Sequence, residues 1–137
     1  MKVFFDTNVY VGEALLGRGA QRMVTATTAA RWRIYCNAHV LDEIERVIKR
    51  MGFSPRFAAL TRQRARRRST TVPARPSRHA VTADAQDSPI LRAALSAGVD
   101  YLVTNDQHLL ELDPYEGLRI VSMNAYLRLL DERGLLD

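Results

Sequence analysis

Residues 3–10 read VFFDTNVY, an apolar run that ends at a carboxylate. A short apolar run bounded by polar residues is typical of a buried strand, so we predict a strand over about residues 2–6. Asp6 then stands at the carboxyl end of that strand. Asp is also a common N-cap residue, so Asp6 taken alone is equally consistent with a helix cap and with a functional site. Its role depends on what else lies at the same edge.

Helices and short strands alternate along the rest of the chain. The patterns predict further strands at about 32–36, 69–72, 101–104 and 118–122. A loop is predicted from the end of the strand at 69–72 to about Asp87. They predict helices at about 9–16, 20–31, 40–51, 55–67, 89–97, 107–112 and 124–133. Because parallel strands need crossover helices, this order predicts an α/β fold with a central, mainly parallel sheet.

Length and composition indicate one globular domain over residues 1–137. No apolar run approaches the roughly 20 residues that span a bilayer, so we expect a soluble protein with no membrane partner. The N-terminal stretch lacks the order of a signal peptide, and the lone Cys36 cannot form an internal disulfide. A cytoplasmic location is the expectation.

The charge is unevenly distributed. Between Arg46 and Arg78 there are eleven basic residues and no acid, whereas the rest of the chain has nine basic residues and all 15 acids. This asymmetry predicts a basic surface for a polyanion beside an acidic region, although Arg-rich segments are also common as solvated surfaces. The arginines we assign to this polyanion-binding surface are Arg62, Arg64, Arg66, Arg67 and Arg68.

Four acids fall just after a predicted strand or near the start of a helix. They are Asp6, Glu43, Asp87 and Asp106. In an open parallel sheet, the carboxyl ends of the strands share one edge, where ligands collect. Each acid also has a local explanation as a cap, turn or surface residue, and a helical wheel does not choose between Glu43 and Glu45. Asp84 is a possible auxiliary ligand.

Clustered carboxylates repel one another unless a cation neutralises them. Oxygen ligands favour hard ions, so this set predicts a Mg²⁺ or Mn²⁺ site. An acidic metal site beside a phosphate-binding surface is what a nuclease needs. No GxxxxGK or GxGxxG phosphate loop follows the first strand. A phospho-acceptor receiver domain is disfavoured because the acid pair that it needs after this strand is missing.

At this point the residues resemble a known family. VFFDTNVYV (3–11) and DSPILRAALSAGVDYLVTNDQHLLEL (87–112) are similar to the PIN-domain ribonucleases, most closely to the toxins of bacterial toxin–antitoxin pairs. The closing RIVSMNAYLRLL (119–130) resembles the same branch. The resemblance implies a three-layer α/β/α PIN-like fold with four to five strands in its sheet.

The resemblance also implies roles for individual residues. Asp6 would be the central metal ligand positioned by Asn8, and Glu43, Asp87 and Asp106 would be the other acids. The hydroxyl of Thr104 would bond inside the site. Asn105 stands where that branch usually has Gly. That branch usually has a run of acids around its third acid, which is Asp87 here, and this sequence keeps only Asp84 and Asp87 of that run.

The resulting hypothesis is a metal-dependent endoribonuclease that acts on RNA as the toxin of a type II toxin–antitoxin pair. The resemblance implies a small antitoxin partner and a possible homodimer. The alternative is a non-catalytic module that binds nucleic acid or a protein partner, in which the acids are only caps. Asp6→Asn distinguishes the two, because only the enzyme needs the carboxylate.

Overall fold

The structure, a computed structural model, describes residues 1–74 and 88–136, apart from the side chain of Ser88. Its strands are β1 (Lys2–Phe5), β2 (Arg33–Cys36), β3 (Thr70–Thr71), β4 (Tyr101–Val103) and β5 (Arg119–Val121). They form one sheet in the order β3-β2-β1-β4-β5, and every neighbouring pair is parallel. The predicted α/β fold is confirmed, with five strands in an all-parallel sheet that is flanked by helices.

Helices lie between successive strands as crossovers, and a last helix follows β5. Those in the described residues are α1 (Thr7–Ala14), α2 (Arg18–Ala29), α3 (Ala38–Arg50), α4 (Pro55–Arg67), α5 (Ser88–Ala97), α6 (Gln107–Leu110) and α7 (Met123–Glu132). In residues 1–74 and 88–136, no helix is both long enough and apolar enough to cross a membrane. Most of the predicted loop after β3, including Asp87, lies outside the described residues.

Side-chain caps set the first residues of α1 and α4. Helix α1 begins at Thr7, two residues earlier than predicted, because Asp6 accepts a hydrogen bond from the Thr7 backbone N–H and serves as the N-cap. For the same reason β1 ends at Phe5 and not at Asp6. Helix α4 spans the predicted residues 55–67, with Ser54 as its N-cap and Pro55 at its first position.

The core is centred on β1. Val3, Phe4 and Phe5 are all 0% exposed. Successive strand residues point to opposite faces of a sheet, so three consecutive buried residues mean that both faces of β1 are covered. The ring of Phe5 packs edge-on against Tyr10 and Tyr126. The end of β1, where Asp6 follows, is therefore held by a packed layer.

The strand order reverses beside β1. The chain runs outward from β1 to β2 and β3, and then returns to the other side of β1 as β4 and β5. Ligands in open α/β sheets bind at such a reversal, outside the carboxyl ends of the strands. Here the reversal lies between β1 and β4, so the residues that follow Phe5 and Val103 are the ones placed at the expected ligand crevice.

Candidate active site

Asp6 lies at this reversal and is almost buried, with 8% of its surface exposed. Its backbone N–H donates to the Val103 carbonyl oxygen at 3.0 Å, which continues the β1–β4 pairing one residue past β1. Its Oδ1 accepts the Thr7 backbone N–H at 2.6 Å. The backbone and side chain of Asp6 are therefore both fixed by neighbouring elements.

Thr104 links the two strand ends. It follows β4, is 1% exposed, and its hydroxyl donates to Asp6 Oδ2 at 2.6 Å. The same hydroxyl accepts the Asp106 backbone N–H at 3.0 Å. Because a hydroxyl has one hydrogen and the Asp106 amide uses a lone pair, that hydrogen is directed at Asp6. The chain of bonds runs from the Asp106 backbone through Thr104 to the Asp6 carboxylate.

Asp106 is the second acid at this edge. Its Oδ1 accepts the backbone N–H groups of His108 at 2.8 Å and Leu109 at 3.4 Å, so it is the N-cap of α6. Its negative charge is close enough to raise the pKa of Asp6. The structure thus brings together the acids that follow β1 and β4, as their positions in the sequence predict.

The pKa of Asp6 is raised above its usual value. Burial is the largest cause, since it penalises the charged form, and the charge of Asp106 adds to it. The hydrogen bonds from Thr104 and Thr7 and the charge of His39 act in the opposite direction. Without a cation, the ionised carboxylate is therefore unfavourable where it stands, and a positive ion would offset that cost.

The donor chemistry of this pair fits a hard divalent cation. Mg²⁺ is usually held by one or two carboxylates and keeps several waters, and Asp6 with Asp106 supplies such carboxylates. Within residues 1–74 and 88–136, however, no group of three or more His, Cys, Asp or Glu side chains is placed to hold a metal ion. A fuller set of ligands requires acids from elsewhere.

Of the other predicted acids, the structure describes only Glu43. Glu43, on α3, forms an ion pair with Arg46 and lies 3.9 Å from an Arg50 nitrogen, so its carboxylate is engaged on its own helix. Asp87 and the auxiliary Asp84 lie outside the described residues. The roles of these three acids stay predictions.

The two supporting asparagines differ in position. Asn8 is exposed in the first turn of α1. Asn105 is also exposed, and its side-chain oxygen accepts the Met123 backbone N–H at 3.0 Å. Asn105 therefore ties the loop after β4 to the start of α7, which is a structural contribution that Gly at this position would lack.

Two further residues near the carboxyl edge, Asn37 and His39, do not belong to the predicted site. Asn37 directly follows β2, is 8% exposed, caps α3 by accepting the Val40 backbone N–H at 3.0 Å, and donates to the Pro89 carbonyl oxygen at 3.2 Å. His39 lies in the first turn of α3, and its charge acts on Asp6. The pattern that pointed to Asp6, a polar residue directly after a strand, also applies to Asn37.

The arginines assigned to the polyanion-binding surface divide into two groups. Arg62 pairs with Asp42 and Glu45 of α3, and Arg68 forms a two-pronged pair with Glu13 of α1. By contrast, Arg64, Arg66 and Arg67 are exposed and form no ion pair with residues that the structure describes. The first group holds α4 to the rest of the fold, and the second presents its charge to solvent.

Thr104→Val tests the link between the strand ends. The variant keeps the shape of Thr104 but leaves Asp6 Oδ2 and the Asp106 N–H without this partner. We expect the free energy of unfolding to fall by about 1–3 kcal/mol. For the metal-dependent nuclease that the sequence predicts, we also expect activity to fall by about 10- to 100-fold, the usual cost of losing a group that orients a metal ligand. Urea unfolding and cleavage rates measure the two effects, and Thr104→Ser, which keeps the hydroxyl, should restore most of both.

A parallel α/β sheet with a buried carboxylate, Asp6, and a partly exposed one, Asp106, at its strand reversal defines a protein whose site suits a hard cation and its anionic ligand. A family model described as PIN domain matches residues 2–108, which is most of the chain. The chain belongs to the PIN-domain family. PIN domains are generally nucleases and typically use divalent metals, which supports a nuclease function acting on nucleic acid. No curated protein and no solved structure gives a match.

Proposed function

We propose that this PIN domain, with residues 1–137 acting as one unit, is a metal-dependent endoribonuclease that hydrolyses RNA phosphodiester bonds. The observation that carries the proposal is the hydrogen-bonded series Asp6–Thr104–Asp106 at the strand reversal of the sheet. A buried carboxylate with a raised pKa at such a crevice is a mark of a functional site.

Mg²⁺ or Mn²⁺ would be held by Asp6 and Asp106, with Glu43 and Asp87 as the further acids. When bound, the ion supplies a water of lowered pKa and neutralises charge on the phosphoryl group. The residues of the chain position the site: Thr104 directs its hydrogen to one oxygen of Asp6, and Thr7 fixes the other. Because Asp6 is nearly buried, few waters compete for it.

RNA would be held by the exposed arginines of α4. Phosphate contacts give affinity without reading sequence, and guanidinium groups suit phosphate oxygens. Arg64, Arg66 and Arg67 keep their charge free of described acids, so we assign the main RNA contacts to them. Arg62 and Arg68 are already paired with Asp42, Glu45 and Glu13 and would contribute less.

Replacing Arg64 and Arg67 with Gln together should weaken RNA binding and its dependence on salt. For single-stranded nucleic acid, each lost phosphate contact lowers the slope of log K against log salt by about 0.7, so we expect a change of about 1.4. Titration of an unstructured RNA at several salt concentrations measures it. The control is Arg33→Gln with Arg128→Gln, which removes two exposed charges elsewhere. An equal change in both variants would mean that only net charge matters.

The deciding experiment is a cleavage assay on unstructured RNA, structured RNA and single-stranded DNA of the same sequence. Each is incubated with purified protein in Mg²⁺, Mn²⁺ or EDTA. The proposal expects RNA cleavage that needs the divalent ion and is absent in EDTA. Cleavage that persists in EDTA would refute the metal mechanism, and equal cleavage of DNA would refute the RNA preference.

A toxin role with a small antitoxin partner is part of the same proposal, as are a homodimer and a cytoplasmic location. Its support is the resemblance of residues 87–112 to that branch of the family. Induced expression should arrest growth, and co-expression of a small protein encoded next to the gene should relieve the arrest. Growth that continues at full rate, with active protein present, would refute the toxin role.

One observation favours the second candidate, a non-catalytic module. Asp6 and Asp106 both cap helices, so each has a structural function that needs no metal. In that case RNA or a protein partner would bind, and Asp6→Asn would leave the function unchanged. The burial of Asp6 and its raised pKa are not needed for capping, which makes the enzyme the better-supported proposal.

A further inference from the structure

The hairpin of α3 and α4 leaves large apolar side chains in solvent. Met51, Phe53 and Leu60 are 53%, 43% and 47% exposed, and they are three of the five large apolar residues that are exposed in the described part of the chain. The ring of Phe53 lies 5.2 Å from that of Phe57, and Leu60 follows Phe57 by one helical turn. A scattered exposed apolar residue needs no explanation, but a group such as this one marks an interaction surface.

This apolar group continues along the outward face of α4. The helix buries Ala58, Thr61 and Ala65. At 100° per residue, Arg56, Leu60, Gln63 and Arg67 lie opposite that buried side, and Arg64 lies on the flank next to Leu60; all five are exposed. Arg56 and Arg64 lie one turn before and one turn after Leu60, so cations border the apolar contact on both sides. We call these five residues the α4 outward face.

The cations of the α4 outward face form no ion pair with an acid in the part of the chain that the structure describes. The acids nearest to α4 are already paired with Arg62 and Arg68 at its flanks. No described acid forms an ion pair with Arg56, Arg64 or Arg67, and the sequence has none between Arg46 and Arg78. The surface therefore combines exposed apolar side chains with uncompensated positive charge.

We propose that the α4 outward face, together with Met51 and Phe53, binds an acidic, amphipathic helical segment of another protein. Apolar side chains of that segment would cover Leu60 and Phe53, and its carboxylates would pair with Arg56 and Arg64. A second copy of this chain fits poorly, because a two-fold interface would bring the same cations together. RNA fits the arginines, but it has no aliphatic side chains to cover Met51 and Leu60.

The proposed segment has a consequence for the nuclease. Arg64 and Arg67 belong both to this face and to the proposed RNA contacts, so a bound segment would exclude RNA from them. This consequence rests on the proposed function, and the binding itself does not. A segment with this chemistry would act as an inhibitor that covers the RNA-binding arginines.

The test uses the full chain and a synthetic helical peptide of about 20 residues. Leu residues spaced three and four apart form one face of the peptide helix, and Glu residues form the other. A peptide of the same composition in scrambled order keeps the charge but has no apolar face. Fluorescence anisotropy should show the helical peptide binding about tenfold more tightly than the scrambled one. Leu60→Ser and Arg56→Gln should each weaken it by about tenfold, whereas Leu16→Ser, which alters an exposed leucine elsewhere, should not.

Three results would overturn the proposal. Equal binding of the two peptides would show attraction of charge alone. RNA binding is measured on the cleavage-defective Asp6→Asn variant, with and without Leu60→Ser. If Leu60→Ser weakens RNA binding as much as it weakens peptide binding, the face belongs to RNA. The face belongs to a second copy of the chain if three results occur together: the wild type self-associates, Leu60→Ser is monomeric, and neither binds the peptide. Peptide binding needs no nuclease activity, so a failed cleavage assay would leave this test intact.

Discussion

Asp6→Asn should abolish RNA cleavage while the fold and RNA binding are kept. The amide is nearly the same size as the carboxylate, and its oxygen can still accept the Thr7 N–H. Its NH2 group would take the place of the other oxygen and donate to the Thr104 hydroxyl, which then no longer donates to residue 6. The amide carries no charge for a divalent ion. Losing a group that only orients a ligand costs about 10- to 100-fold, so losing the central ligand should cost at least about 100-fold. Single-turnover cleavage with excess protein, beside a binding titration, separates the two effects.

For the same variant we also predict a change in the free energy of unfolding when divalent ions are absent. Folding raises the pKa of Asp6 above its unfolded value, near 3.8. The free energy of unfolding therefore falls as the pH rises from the unfolded pKa through the folded pKa. Above both pKa values the loss of stability is complete. Asn removes that cost, so Asp6→Asn should be more stable than wild type at neutral pH in EDTA. Mg²⁺ should then raise the melting temperature of the wild type and leave that of the variant unchanged.

A suitable control is Asp131→Asn. Asp131 is exposed on α7, and its carboxylate forms no ion pair or hydrogen bond with a described residue. It should retain wild-type cleavage and the wild-type response to Mg²⁺. Cleavage by Asp6→Asn at the wild-type rate would exclude the proposed enzyme and favour the non-catalytic module.

The relation between Asp6 and Asp106 could be predicted because it follows from topology. Alternating helices and strands give a parallel sheet, and residues after two of its strands share one edge whatever the packing details. The structure places Asp6 and Thr104 side by side, since Phe5 and Val103 are register partners. Local patterns also sufficed for α4, where Ser54, Pro55 and the apolar spacing mark the helix.

Contacts between distant surface side chains could not be predicted in this way. Arg68 and Glu13 are 55 residues apart, and nothing in either local pattern shows that α1 and α4 meet there. The same applies to Arg62 and Asp42, which are 20 residues apart. Charge counting treated all five arginines alike, whereas the packing of α4 against α3 and α1 decides which of them remain available to a polyanion.

Phe5→Ala should produce the largest loss of stability among simple substitutions near the site. Phe5 is 0% exposed, lies in the central strand, and has its ring centroid 6.1 Å from that of Tyr10 and 5.7 Å from that of Tyr126. Removing a buried aromatic ring leaves a cavity and typically costs about 3–5 kcal/mol. Because domains are stable by only about 5–15 kcal/mol, this is a large share of the total.

Urea unfolding of the wild type, Phe5→Ala and Phe53→Ala measures this cost with a matched control. Phe53 has the same side chain but is 43% exposed in the α3–α4 turn, so its replacement should change stability by about 0.5–1 kcal/mol. Asp6 follows Phe5 directly, so the packing that holds the ring also holds the carboxylate at the end of β1. Equal losses in the two variants would mean that no packed layer lies beneath Asp6, and the geometric basis of the proposed site would fail with it.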